Sequence, residues 1–241
     1  MLLYIVRHGD PIYSTDSLTE KGILQAEAVG KRMADAKIDQ IYSSPMGRAR
    51  MTAEPACRLL GLEMQIEDWA HEIGEEIKTP YPDGTIKSIS RLQTTVFREN
   101  GNIDLPYERA CECPGIRESR MDEAIRTIEK NGNDFLERLG YRYENGNYRI
   151  LRPNEEKVAL FCHAAFGRAW LSILLHIPLH IMWSSFSYMH TGVTVLEFRN
   201  NPDGITSPHC LCYSDMSHLY AHGPDMKYST LCNGPVKLLD L

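Results

Sequence analysis

Arg7 and His8 directly follow the apolar run Leu2 to Val6, and His163 directly follows a second apolar run, Val158 to Cys162. Arg48 comes shortly after Ser43-Ser44-Pro45, near the start of a stretch with helical spacing. An imidazole can act as nucleophile or proton carrier near neutral pH, and a guanidinium presents a planar fork that matches phosphate oxygens. Two arginines and two histidines gathered in one cleft describe a pocket for a tetrahedral dianion. Gathering them is the task of the fold. In a parallel α/β sheet, ligands bind beyond the carboxyl ends of the strands, where helix N-termini also point.

The elements that must do this are readable from periodicity. Leu2 to Val6 reads as a buried strand, and Thr19 opens a helix with apolar positions at Ile23, Ala26, Val29, Gly30 and Met33. A second strand lies within Ile38 to Ser44. A helix then runs to Gly61 with Pro45 in its first turn, and Leu62 to Ile66 gives a third strand. Strand–helix–strand–helix–strand is the pattern of a parallel α/β sheet. Gly74 to Gly115 is rich in Pro and Gly, with one helical piece expected around Ile86 to Arg98. Ile116 to Leu139 reads as a helix, and Asn145-Gly146 as the turn of a hairpin. The sheet resumes at Val158 to Cys162, followed by a helix from Gly167 to about His176 and closing strands at Val193 to Phe198 and Cys210 to Tyr213. The expectation is one α/β core, residues 1–72 and 150–215, within a single domain 1–241 that carries a mostly helical insertion, 73–149.

Composition narrows the function classes. With 43% apolar and 24% charged residues in 241, the chain is an ordinary globular protein, not a disordered, collagen-like or coiled-coil one. The formal charge of −6 excludes a global basic surface for nucleic acid, so any bound anion must be held by a local positive cluster. No apolar stretch approaches the ~20 residues of a membrane span, and the start has neither a basic n-region nor a small-residue cleavage site. A cytoplasmic location is expected, and the odd count of seven cysteines fits a reducing compartment.

Arg7-His8-Gly9, the run Leu18-Thr19-Glu20-Lys21-Gly22 with Gln25-Ala26, and Ser43-Ser44-Pro45-Met46-Gly47-Arg48-Ala49 with Thr52-Ala53 together resemble the histidine phosphatase superfamily, whose best-known members are cofactor-dependent phosphoglycerate mutases. The likeness covers residues 2–72 and 158–167; the insertion carries no matching motif. It implies a three-layer sandwich with a mostly parallel mixed sheet and the insertion over the active site. It also implies a phosphomonoester hydrolase that needs neither metal nor cofactor and acts on a small phosphorylated metabolite. By this resemblance His8 is the nucleophile, Arg7 and Arg48 clamp the phosphate, His163 donates to its equatorial oxygens, and Glu72 protonates the leaving oxygen. Ala164 stands where the family often has Gly, and its amide can still bind substrate. Mutases usually carry an Asn in an E-x-x-W-N context; here Asp10-Pro11-Ile12-Tyr13-Ser14 leaves Ser14 as a substitute donor. Glu72 is followed by Ile73-Gly74 instead of Tyr-Gly, which also moves the reading from mutase toward phosphatase.

Plainer readings stand beside these. Arg7-His8 alone is a surface dipeptide, Arg48 shares a helix with Arg50 and could sit on a solvated face, and Glu72 neighbours Glu75 and Glu76 in what could be a charge run. His163 could be a satisfied core histidine. Three other functions remain open: a phosphoglycerate mutase-type phosphotransferase, a silent module that binds phosphorylated ligands, and a metal protein built on Cys111, Cys113, His209, Cys210, Cys212 and Cys232. C-x-C spacing is a poor match to structural zinc, so packing thiols are the simpler account. With Arg91, Arg98 and Arg109 the insertion could be a lid with substrate contacts or a loop-rich cover with no specific role, and the tail with His218, His222 and Lys227 could fold back toward the site mouth. The sequence names neither the substrate nor the oligomeric state.

Overall fold

The computed structural model describes residues 1–74, 77–81, 83–119, 121–222, 230–231 and 234–235. Its centre is a six-stranded sheet built from β1 (Leu2–Arg7), β2 (Gln40–Ser43), β3 (Met64–Ile66), β4 (Lys157–Cys162), β5 (Val193–Glu197) and β6 (His209–Asp215), in the order β6-β5-β1-β4-β2-β3. β1, β4, β2 and β3 run parallel, and β5 and β6 close one side antiparallel. This is the mixed, mostly parallel α/β architecture that the strand–helix alternation implies.

Alternation along β1 sends Leu3 and Ile5 to one face and Tyr4 and Val6 to the other. Both faces are covered. α1 (Glu20–Ala36) and α2 (Gly47–Leu60) lay Val29, Met33, Ala53 and Ala56 against Ile41, Phe161 and Val6. On the opposite face α3 (Met121–Arg138) and α4 (Ala164–Leu175) bring Phe135, Leu136, Phe166 and Trp170 to Leu3, Ile5 and Leu160. Helices on both sides explain why β4 is apolar at nearly every position. A further helix, α5 (Leu179–Ser185), follows Pro178 and was not visible in the periodicity.

Several boundaries differ from expectation. The helix expected from Gly167 begins at Ala164, directly after His163. Pro45 precedes α2, which starts at Gly47, instead of occupying its first turn. The helical piece expected around Ile86 to Arg98 is a short strand, Ile86–Ser88, paired with Lys78–Pro80, and then the 3-10 turns Ile89–Arg91 and Thr94–Phe97. β-Branched Thr94, Thr95 and Val96 lose rotamer freedom in a helix, which disfavours a longer one there. The hairpin Tyr141–Glu144 and Asn147–Ile150 forms as expected, with Asn145 and Gly146 at φ 49° and 84°.

Candidate active site

The parallel register assembles the site. Arg7 lies opposite Cys162 in the β1–β4 ladder, and Ser43 opposite Phe161 in the β4–β2 ladder, so His8, His163 and Ser44 emerge side by side one residue past their strands. The His8 and His163 rings are 5.2 Å apart, about one strand spacing. Arg7, His8, Arg48 and His163 are all buried, so the plainer reading of Arg7-His8 and of Arg48 as surface groups does not hold; Arg50 is exposed.

Hydrogen bonds fix the state of His8. Burial, reinforced by the charges of Arg7 and Arg48, holds its pKa well below the ordinary histidine value, so the ring is neutral. Its Nδ1 is 2.7 Å from the carbonyl oxygen of Gly9. A carbonyl can only accept, so the single ring proton sits on Nδ1 and the Nε2 lone pair is left as a nucleophile. Gly9 is itself tied down, its amide donating to Thr52 Oγ1 at 3.0 Å. His163 is likewise kept neutral by burial and then by His8 and the two arginines. Its Nε2 lies 2.7 Å from Ser44 Oγ, while its Nδ1 is buried with no partner among the described residues.

A third pocket histidine was missed by sequence reasoning. His190 lies just before β5, with its ring 5.5 Å from that of His8. The Nη2 of Arg7 approaches His190 Nε2 at 2.8 Å, and since guanidinium can only donate, His190 Nε2 accepts. Burial, then Arg7 and His8, lowers its pKa as well, so its proton resides on Nδ1, which faces Asp10 Oδ1 at 3.5 Å. Arg7 Nη1 also donates to the Tyr188 carbonyl. The only sequence signal for His190 was its place before a closing strand that pairs with β1.

Arg48 is paired with Asp16, whose other oxygen accepts from the Gly47 amide at 2.6 Å. The Tyr13 ring lies 5.5 Å from the Arg48 guanidinium, and Arg48 Nε is buried with no partner among the described residues. Glu72 reaches the start of α4: its Oε1 accepts from Phe166 N at 3.1 Å and its Oε2 from Ala165 N at 3.4 Å. Two guanidiniums gather here with Arg48 Nε and His163 Nδ1, both without a partner among the described residues, an arrangement that could hold a phosphate.

A cavity of about 580 Å³ adjoins this cluster through Arg7 and Glu72, with Ala164 and Tyr13 also on its wall. Ser90, Arg91, Gln93 and Thr94 of the insertion and Arg168, Ser184 and Ser187 add polar groups to its wall. Ser14 sits on an exposed turn, and its neighbour Tyr13 takes the place on the wall. Arg98 instead bonds Ser185, and Arg109 pairs with Glu112 on the surface. His218 does fold back, its Nε2 3.1 Å from Thr191 Oγ1; the side chain of His222, together with Lys227, Glu75, Glu76 and Cys232, lies outside the described residues. Among the described residues no three His, Cys, Asp or Glu side chains form a metal-binding group, and no helix is long and apolar enough to cross a membrane.

Comparison with known proteins places this geometry. The chain is 22% identical over 238 residues to phosphoserine phosphatase 1 of Hydrogenobacter thermophilus, covering 91% of this chain and 97% of that one. A probable phosphoglycerate mutase of Erwinia tasmaniensis is 34% identical over 80 residues, 30% of this chain and 37% of that protein. Among solved structures, a phosphoserine phosphatase from Entamoeba histolytica in complex with 3-phosphoglyceric acid superposes with a TM-score of 0.58 at 22% identity, covering 90% of this chain and 98% of that one. A mycobacterial glucosyl-3-phosphoglycerate phosphatase gives 0.59 at 17% identity, covering 90% and 99%. Residues 3–136, more than half of the chain, match the sequence profile of the histidine phosphatase superfamily (branch 1), and the protein belongs to that superfamily.

Proposed function

We propose that the protein hydrolyses a small phosphomonoester through a phosphohistidine on His8. The observation that carries this is the neutral His8 ring with its proton fixed on Nδ1, set among Arg7, Arg48 and His163. The Nε2 lone pair attacks phosphorus and the P–O ester bond breaks. Arg7, Arg48 and His163 stabilise the charge spread over the equatorial oxygens. Glu72 gives its proton to the departing alkoxide, releasing the alcohol. Water then attacks the phosphohistidine, Glu72 takes up the water's proton, and inorganic phosphate leaves with His8 restored. The positive charge this chemistry needs comes from the arginines.

Relatives named for phosphoserine and for glucosyl-3-phosphoglycerate support a small acidic phosphate ester as substrate. Arg91 and Arg168 on the cavity wall support the same choice. In this reading the segment 73–149 is a lid within one domain, 1–241, since Ser90, Arg91, Gln93 and Thr94 line the cavity from it. Binding alone would require neither a nucleophile in a fixed tautomer nor a carboxylate beside it, which argues against a silent module. The mutase likeness spans only 80 residues. We place the enzyme in the cytoplasm, in keeping with its free thiols at Cys57, Cys111, Cys113, Cys162, Cys210 and Cys212.

Rapid acid-free quenching of a reaction with radiolabelled substrate tests the proposal. An acid-labile, alkali-stable label on the protein, absent in His8→Ala together with turnover, is the expected result. Full activity of His8→Ala on p-nitrophenyl phosphate overturns it. A label that persists until a second hydroxyl acceptor is added would instead identify a mutase.

A further inference from the structure

We propose that the loop from Asp10 to Leu18 is the positioning element for both phosphate-gripping arginines, with Asp16 holding Arg48 directly and Asp10 holding Arg7 through His190; this rests on the phosphatase reading. The loop leaves the nucleophile strand at Gly9 and is pinched shut by a small antiparallel ladder, Pro11 opposite Leu18 and Ile12 opposite Ser17. Its two carboxylates sit at either end of that ladder, and each is fixed by more than the arginine it serves.

Asp10 is held on three sides. Its amide donates to Gln25 Oε1 at 2.8 Å, its carbonyl accepts from Thr19 N at 2.9 Å, and its Oδ2 accepts from Thr19 Oγ1 at 2.8 Å. The remaining oxygen, Oδ1, faces His190 Nδ1. Because the guanidinium can only donate, His190 Nε2 accepts an N–H of Arg7, and the ring proton that remains on Nδ1 points toward Asp10. Asp10, His190 and Arg7 thus form a relay that sets the plane of the first guanidinium, in the way an orienting carboxylate sets a histidine tautomer.

Asp16 takes a left-handed backbone conformation, φ 48°, which turns its carboxylate onto the start of α2. There it meets the Gly47 amide and Arg48 Nη1. The approach is close enough that a Cβ on Gly47 would lie 2.3 Å from the Asp16 carbonyl oxygen. Arg48 Nη2 contacts Met46 Sδ at 3.4 Å, so both terminal nitrogens are engaged. The side chain of Arg48 is 5% exposed and that of Asp16 39%. A buried cation is costly without a counter-charge, and Asp16 supplies one before substrate arrives. Donors already aimed when charge develops need no reorganisation during the reaction.

Asp16→Asn is the first test. Asn tolerates the left-handed conformation and keeps a side-chain oxygen for the Gly47 amide, so the loop is retained while the charge is removed. His190→Asn and His190→Phe form the second pair, since Asn can still accept from Arg7 and Phe cannot. For each variant, kcat and KM for p-nitrophenyl phosphate are measured with inhibition by vanadate, which mimics the five-coordinate transition state, and by inorganic phosphate. We expect kcat/KM to fall about tenfold or more in Asp16→Asn, with vanadate affinity falling further than phosphate affinity. His190→Asn should retain several-fold more activity than His190→Phe at equal Tm. Asp16→Asn matching or exceeding wild type in kcat/KM and in both inhibition constants overturns the inference alone. Wild-type protein that neither hydrolyses the ester nor binds vanadate overturns the phosphatase reading and the inference with it.

Discussion

Glu72 Oε1 lies 3.1 Å from the amide nitrogen of Phe166, so the carboxyl group assigned to proton transfer is also the cap of the helix that follows His163. α4 has no cap of its own, because His163 at its N-cap makes no side-chain bond to the first turn. The two duties can be separated. Glu72→Gln keeps an oxygen for the Phe166 amide, the shorter of the two capping contacts, but cannot donate an acidic proton. Hydrolysis of alkyl phosphates, whose leaving alkoxide needs protonation, should fall about 10²–10⁴-fold. p-Nitrophenyl phosphate, with its good leaving group, should lose far less. Equal losses on the two substrates would assign Glu72 to capping alone.

The three pocket histidines tie stability to pH. Burial first, and the neighbouring arginines and histidines after it, lower the pKa values of His8, His163 and His190 below the ordinary ~6.5 of an unfolded histidine. Below about pH 6.5 the unfolded chain therefore binds protons that the native pocket refuses. Their contribution is complete above that pH and is lost as pH falls toward the lowered native values. Tm should drop between pH 7.5 and pH 5.5, and replacing His190 with Asn should shallow the slope. A Tm that holds level or rises on acidification contradicts neutral native histidines.

Gly167 couples packing to the clamp. A Cβ there would lie 2.3 Å from Tyr188 Cε1, and Tyr188 is fully buried with its hydroxyl bonded to the Ile5 carbonyl at 2.6 Å. The Tyr188 carbonyl holds Arg7. Gly167→Ala should cost about 1–3 kcal/mol by overpacking, read from urea unfolding. It should also raise KM, because relieving the clash moves the residue that holds Arg7. An unchanged KM beside a clear stability loss would uncouple the two.

Metal removal gives a simpler test. If two guanidiniums supply the charge that stabilises the transferred phosphoryl group, as proposed, overnight dialysis against EDTA should leave kcat and KM unchanged. A chelator-sensitive rate restored by zinc would redirect attention to the cysteine pairs at 111/113 and 210/212.

The sequence by itself determined the alternation of strands and helices and the placing of Arg7, His8, Arg48 and His163 at strand or helix ends. Those features are local: apolar runs set the strands, and the charged and polar residues that end the runs fall at the strand ends. Tertiary structure decided the rest. α2 and α4 begin where their own residues supply no side-chain cap, and in each case a distant carboxylate, Asp16 or Glu72, binds the first-turn amides. Local reading therefore misplaced both starts, because the groups that fix them arrive through space. His190 was hidden for the same reason, since only the antiparallel return of β5 beside β1 brings it to Arg7. Spacing along the chain encodes which residues can share a helix or strand, while the state of a buried side chain depends on partners that only folding supplies.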